Sequence, residues 1–188
     1  MKRSNSLYEK SLKTRKEVSA SAFHFLFCEV VQYTLSKSSN DSQELEKKLE
    51  ELGYRLGRRF LELVCFREKS SRKETNIISI LTFIHTPLWR TLFNKTATEI
   101  EKSEEDEAEY MITENEPSLC NQFAYLPRGA THINCGAFVA GILEGLLNAA
   151  GFPSRVTAHF RNHPEGRSTV YLIKFAPEVL ERESSKQK

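Results

Sequence analysis

Cysteine is scarce in this sequence, and Cys28, Cys65, Cys120 and Cys135 include no CxxC pair. That spacing excludes a small disulfide-stapled scaffold and predicts free thiols in a reducing compartment. Charge of one sign is also missing. Lysine plus arginine is 27 and aspartate plus glutamate 25, leaving a net +2. So balanced a chain gives no electrostatic reason to expect nucleic acid or an anionic membrane as its main partner. Long apolar runs are absent too. The longest, Ile133 to Ala150, is interrupted by Asn134, Glu144 and Asn148 and falls short of a bilayer span. Residues 1–17 are basic and serine-rich with no apolar block behind them, unlike a signal peptide or an anchor. The expectation is a soluble, cytosolic protein.

What is present suits a single folded domain. The chain has 188 residues, 39% of them hydrophobic and 28% charged, enough for one ordinary core. Residues 1–17 read as a flexible basic arm, 18–176 as the domain, and 177–188 as a short helix with a tail. A first helix is expected from Val18 to about Leu35, with Ser19 or Ser21 as its cap. It carries two apolar stripes. Phe23, Leu26, Phe27, Val30 and Thr34 form one, and Phe25, Cys28, Val31 and Leu35 the other. A surface helix needs only one, so the second predicts a further layer over this helix.

After a linker at Lys37 to Asp41, a long helix opens with acids in its first turn. Its apolar series runs Leu45, Leu49, Leu52, Leu56, Phe60 and Leu63, and Gly53 and Gly57 sit one turn apart within it. Each mid-helix glycine costs about 1 kcal/mol relative to alanine, so close approach of another backbone is expected as compensation.

Beyond the basic stretch Phe66 to Lys73, a helix is expected from Glu74 to Ile84, broken at Thr86-Pro87 and followed by another turn to Phe93. Ala97 to Glu101 and Glu109 to Glu114 read as a hairpin around an acidic turn, and Leu119 to Leu126 as a further strand. A buried helix from about Asn134 to Ala150 ends at Gly151-Phe152-Pro153. Arg155 to Arg161 and Thr169 to Phe175 form a second hairpin, and Pro177 to Glu183 a last short helix. Helices and strands are thus segregated, which predicts an α+β fold with helices on one side of a twisted antiparallel sheet.

Few residues suggest chemistry. Cys135 stands at the start of the buried helix, where a helix N-terminus lowers a thiol pKa, and His159 follows on a strand. Together they define the alternative reading of a thiol hydrolase, although no aspartate or asparagine on the next strand could orient the histidine. His132 and Cys135 lack a second ligand pair for a metal. Gly136, Gly141 and Gly145 lack the lysine and hydroxyl of a phosphate loop, and close packing of that helix on the sheet explains them. The basic cluster Arg55 to Lys73 and the acids Glu99 to Glu109 read as hydrated surface. No catalytic residue, cofactor or metal is assigned. The surplus apolar helix surface points instead to an interaction subunit.

Several stretches carry a resemblance. Leu52-Gly53-Tyr54-Arg55-Leu56-Gly57-Arg58-Arg59-Phe60-Leu61-Glu62, Arg72-Lys73-Glu74-Thr75, Pro87 to Lys95, Ile133 to Glu144, Gly151-Phe152-Pro153 and Val156-Thr157-Ala158-His159 resemble the small α/β subunits of the transport protein particle, TRAPP. The likeness spans about Val18 to Phe175. It implies a non-catalytic scaffold in a complex that tethers vesicles between endoplasmic reticulum and Golgi. That complex promotes nucleotide exchange on a Rab-family GTPase, which this chain would meet only indirectly.

The resemblance further implies pairing with another small subunit through the first two helices, and a longin-type subunit at the far side. Membrane association at the cis-Golgi and endoplasmic reticulum would be peripheral, through the complex, with no nucleic acid as partner. Phe23, Phe27, Leu49, Leu52, Gly53, Leu56 and Gly57 are the residues expected near the partner helices. On that expectation, Gly53→Leu blocks pairing and leaves the isolated chain helical. Some members of the family carry an acyl-accepting cysteine after the second helix. Lys69 stands there, so no acyl group is expected.

Overall fold

The structure, a computed structural model, describes residues 19–37, 41–67, 74–104, 106–115, 120, 133–163 and 166–186. The basic arm, most of the loop after Phe66 and nearly all of the strand expected at Leu119 to Leu126 lie outside them. Helix α1 spans Ala20–Lys37 and α2 spans Ser42–Arg67. Asp41 caps α2, its carboxylate accepting from the Gln43 amide at 3.0 Å. Helix α3, Ile77–Phe83, starts at Asn76, whose side chain accepts from the Ser79 amide at 2.7 Å.

Pro87 does not break the next segment. Ile84–Leu88 form a π-helical turn containing it, and α4, Trp89–Phe93, continues directly. The wider turn accommodates a residue with no amide to give, and the burial of Ile84, Leu88 and Trp89 holds it. Asn94, in the left-handed region at φ 57°, ends α4.

Four antiparallel strands follow the predicted hairpins: β1 Glu99–Lys102, β2 Glu109–Glu114, β3 Ser154–His163 and β4 Gly166–Phe175. Their order is β1-β2-β4-β3, so the two hairpins join through β2 and β4, with Ile112 opposite Tyr171 and Tyr110 opposite Ile173. Between them in sequence comes α5, Ala137–Ala149, and α6, Pro177–Lys186, closes the fold.

Period-two alternation divides the sheet into two faces. Ile112, Tyr110, Tyr171, Ile173, Phe175 and Val156 point inward and are buried. Trp89 meets Tyr171 edge-on at 5.6 Å between ring centroids, and Phe152 meets Phe175 at 6.5 Å. On the outer face Lys174 binds Asp106 at 2.8 Å and Glu109 at 2.9 Å. Helix α5 lies between the inner face and α2, buried nearly all round. The α+β architecture expected from the sequence is the one observed.

Candidate partner-binding face

Helices α2 and α5 approach each other backbone to backbone. A Cβ placed on Gly53 would overlap the Phe138 carbonyl oxygen, and one on Gly57 the Ile142 carbonyl. Reciprocally, a Cβ on Gly141 or Gly145 would overlap the carbonyls of Glu50 and Tyr54. Two glycine pairs, each spaced by one turn, therefore face each other across one interface. The expected backbone approach exists, but the backbone is the chain's own. The glycines of α5 pack on α2 rather than on the sheet, which corrects the expectation for Gly141 and Gly145.

This contact sets the rotation of α2. Leu45, Leu49, Gly53, Gly57 and Val64 are its buried residues. Leu56 and Leu63 are half-buried, Leu56 packing against the core, and Leu52 is 39% and Phe66 43% exposed. Helix α1 is held by Phe27, Val31 and Leu35, with the Phe27 ring 5.3 Å from that of Phe138 on α5. Both stripes read from the sequence of α1 are split by this rotation. Phe25 is 77% exposed, Leu26 65% and Tyr33 62%. Phe23 is 38% exposed and stacks on Phe27 at 5.8 Å.

The seven residues expected at a partner therefore fall into two groups. Phe23, Leu52 and Leu56 keep accessible surface, whereas Phe27, Leu49, Gly53 and Gly57 are buried in the chain's own packing. Phe25, Leu26, Tyr33 and Phe66 are exposed as well and were not among the seven. Phe66 falls in the stretch expected to be a loop, whereas α2 runs on to Arg67.

Beneath the face, between the start of α1, α2, α4 and α5, lies a cavity of about 700 Å³. Phe23, Leu56, Phe60, Leu92 and Phe138 line it with Cys120, Arg67 and Arg90.

Cys135 and His159 are not brought together. Gly136, next to Cys135, lies against Ala158 and Thr169 of the inner sheet face, and His159 occupies the outer face. There its Nε2 is 2.8 Å from the Thr157 hydroxyl. Cys135 is fully buried, and desolvation pushes its thiol up to about 12, with Glu46 and Cys28 adding in the same direction. The thiolate a hydrolase needs does not form at neutral pH. The thiol-hydrolase alternative is thereby overturned: burial, which raises the pKa, outweighs the helix terminus, which lowers it. The Cys65 thiol is likewise raised, by burial and by Glu74. Among the described residues no cluster of histidine, cysteine and acids could hold a metal ion, and no helix is long and apolar enough to cross a membrane.

Comparison with known proteins bears on this arrangement. The chain is 50% identical over 173 residues to trafficking protein particle complex subunit 5 of Dictyostelium discoideum, covering 90% of this chain and 91% of that protein. It is 32% identical to trafficking protein particle complex subunit 31 of Saccharomyces cerevisiae, covering 94% and 83%. In fold it is similar to the crystal structure of trafficking protein particle complex subunit 3 from Naegleria fowleri, covalently bound to palmitic acid. That match has a TM-score of 0.69 at 17% identity and covers 84% of this chain and 95% of the other. Residues 23–176 match the transport protein particle (TRAPP) component family, and with these relatives over nearly its whole length the chain belongs to that family.

Proposed function

We propose that this chain is a scaffold subunit of the TRAPP complex and joins a second small subunit of the family through α1 and α2. The observation that carries the reading is the exposed apolar surface of Phe25, Leu26 and Tyr33 on α1, with Leu52 and Phe66 on α2. Large apolar side chains grouped on neighbouring helices mark an interaction surface. Among the described residues no other element covers Phe25, Leu26 or Tyr33, and a second helical subunit laid across α1 and α2 would bury them. Pairing of helices across such a face buries aromatic anchors of the kind that dominate interface energies.

In this reading the chain performs no chemistry. The assembled complex tethers vesicles between endoplasmic reticulum and Golgi and promotes exchange on a Rab-family GTPase. A longin-type subunit binds the far side, and the complex sits peripherally on cis-Golgi and endoplasmic reticulum membranes. Family membership and subunit names of the relatives support this part. The palmitic acid of the subunit 3 structure belongs to that protein. Lys69, which aligns with the acyl-accepting position, lies outside the described residues.

The test is co-expression with the other small subunits of the family, followed by native mass spectrometry. The chain should be recovered in a stoichiometric pair. The double variant F25D/L26D should lose the pair and keep the helical circular dichroism of the parent, because neither side chain is in the core. Pairing that survives both charges would sink this face as the interface.

A further inference from the structure

Helix α1 carries little charge. Of its 18 residues, Glu29 is the one acid and Lys37 the one lysine or arginine. Glu29 stands in the middle of the exposed apolar surface. Phe25 precedes it by four residues and Tyr33 follows it by four, and residues at that spacing are neighbours on a helix. One line along the outside of α1 therefore reads Phe25, Glu29, Tyr33 and Lys37, all of them exposed. Leu26 and Gln32, three residues to either side of Glu29, are exposed and uncharged.

No cation of the described chain meets this carboxylate. Lys37 is two turns away, its ammonium 5.8 Å from the centre of the Tyr33 ring. His24 is half-buried and lines the cavity beneath the face. Arg55 and Arg59 are exposed on α2, three and seven residues after Leu52. Among the described residues neither forms an ion pair with Glu29.

In water the Glu29 carboxylate keeps its hydration. Under a partner helix it loses it, and a buried charge without a counter-charge costs more than a neighbouring aromatic side chain gains. An interface built on Phe25, Leu26 and Tyr33 therefore needs a cation opposite Glu29. The flanking rings favour arginine. Its planar guanidinium binds a carboxylate through two parallel hydrogen bonds while its faces stack on aromatic rings. Tyr33 already takes the Lys37 ammonium over its ring.

We propose that Phe25, Glu29 and Tyr33 form a socket for an arginine on the partner-facing helices of a different small subunit. The proposal rests on the pairing through α1 and α2 proposed above, and it names the partner's chemistry: an arginine bordered by apolar side chains. A second copy of this chain laid α1 to α1 offers no arginine, only Lys37.

The probe is the small subunit recovered in the stoichiometric pair, titrated back onto the full chain. Glu29→Gln should weaken pairing at least tenfold, because the amide keeps the shape and leaves the partner's arginine buried without its counter-charge. Glu29→Arg should abolish pairing, and reversing one exposed arginine of the partner's first two helices to glutamate should restore it to within tenfold of the parent. Both variants should keep the parent's helical circular dichroism, since Glu29 is exposed. Unchanged or tighter pairing of Glu29→Gln would overturn the socket, as would failure of every partner arginine to rescue Glu29→Arg. Loss of the pair in F25D/L26D beside an unaffected Glu29→Gln would keep the face and reject the socket, whereas pairing untouched by either would reject both. A self-pair of the chain alone, weakened equally by Glu29→Gln, would overturn the different subunit in favour of a second copy.

Discussion

Cys135 illustrates how a single residue's surroundings decide its chemistry. Its place at a helix start, with His159 following on a strand, suggests an activated thiol, and the folded environment reverses the sign. The thiol is pushed from 9.0 to about 12, so the folded state disfavours the thiolate. Its contribution to stability is complete below the unfolded value and fades as pH rises towards 12, because the unfolded chain gives up the proton first. Iodoacetamide at pH 8 should therefore leave Cys135 unmodified in the native chain and label it in urea. Rapid labelling of the native chain would contradict the burial described. The alkaline loss of stability between about pH 9 and 12 should be shallower in Cys135→Ala, as measured by urea midpoints across that range.

At the scale of elements, the facing glycines of α2 and α5 behave unlike glycines on an exposed helix. There, replacement by alanine stabilises by about 1 kcal/mol. Here the added methyl meets backbone, which no rotamer change can relieve. Gly57→Ala should lower stability by about 2 kcal/mol in urea denaturation, and Gly53→Leu should prevent folding rather than merely block pairing. A stabilised Gly57→Ala would show that the helices can separate at little cost.

The same contact explains what was legible beforehand. The apolar spacing of Leu45, Leu49, Leu52 and Leu56 announced α2 and its length, and alternation announced both hairpins. Rotation was not legible, because the buried line passes through Gly53 and Gly57, where no side chain registers as hydrophobic. Pro87 was read as a break for a similar reason. Its missing amide is visible in sequence, whereas the buried Ile84, Leu88 and Trp89 that sustain a π turn around it are a property of the assembled core. Of the exposed apolar residues on α1 and α2, Phe23 and Leu52 are among the seven expected from the sequence, whereas Phe66 lies in a stretch that reads as a loop because its helix runs on into basic residues.

For the whole molecule, the layers differ in how firmly they are held. Helix α5 is enclosed by the sheet and α2, while α1 is tied by Phe27, Val31 and Leu35 and otherwise faces outward. Local stability follows buried contacts. In the isolated chain, α1 amides should exchange at least a hundredfold faster than those of α5, and should slow when the pairing subunit is added. Equal protection of the two helices in the isolated chain would argue that α1 needs no partner. The order in which the layers are made adds a temporal side. The glycine groove of α2 leaves the ribosome about 80 residues ahead of the helix that fills it, roughly 4–16 s at ordinary translation rates. Strand β4, which joins the two hairpins, emerges later still. For that interval the face of α2 that α5 will cover is bare, so the nascent chain presents more apolar helix surface than the finished one and depends on whatever shields it during synthesis.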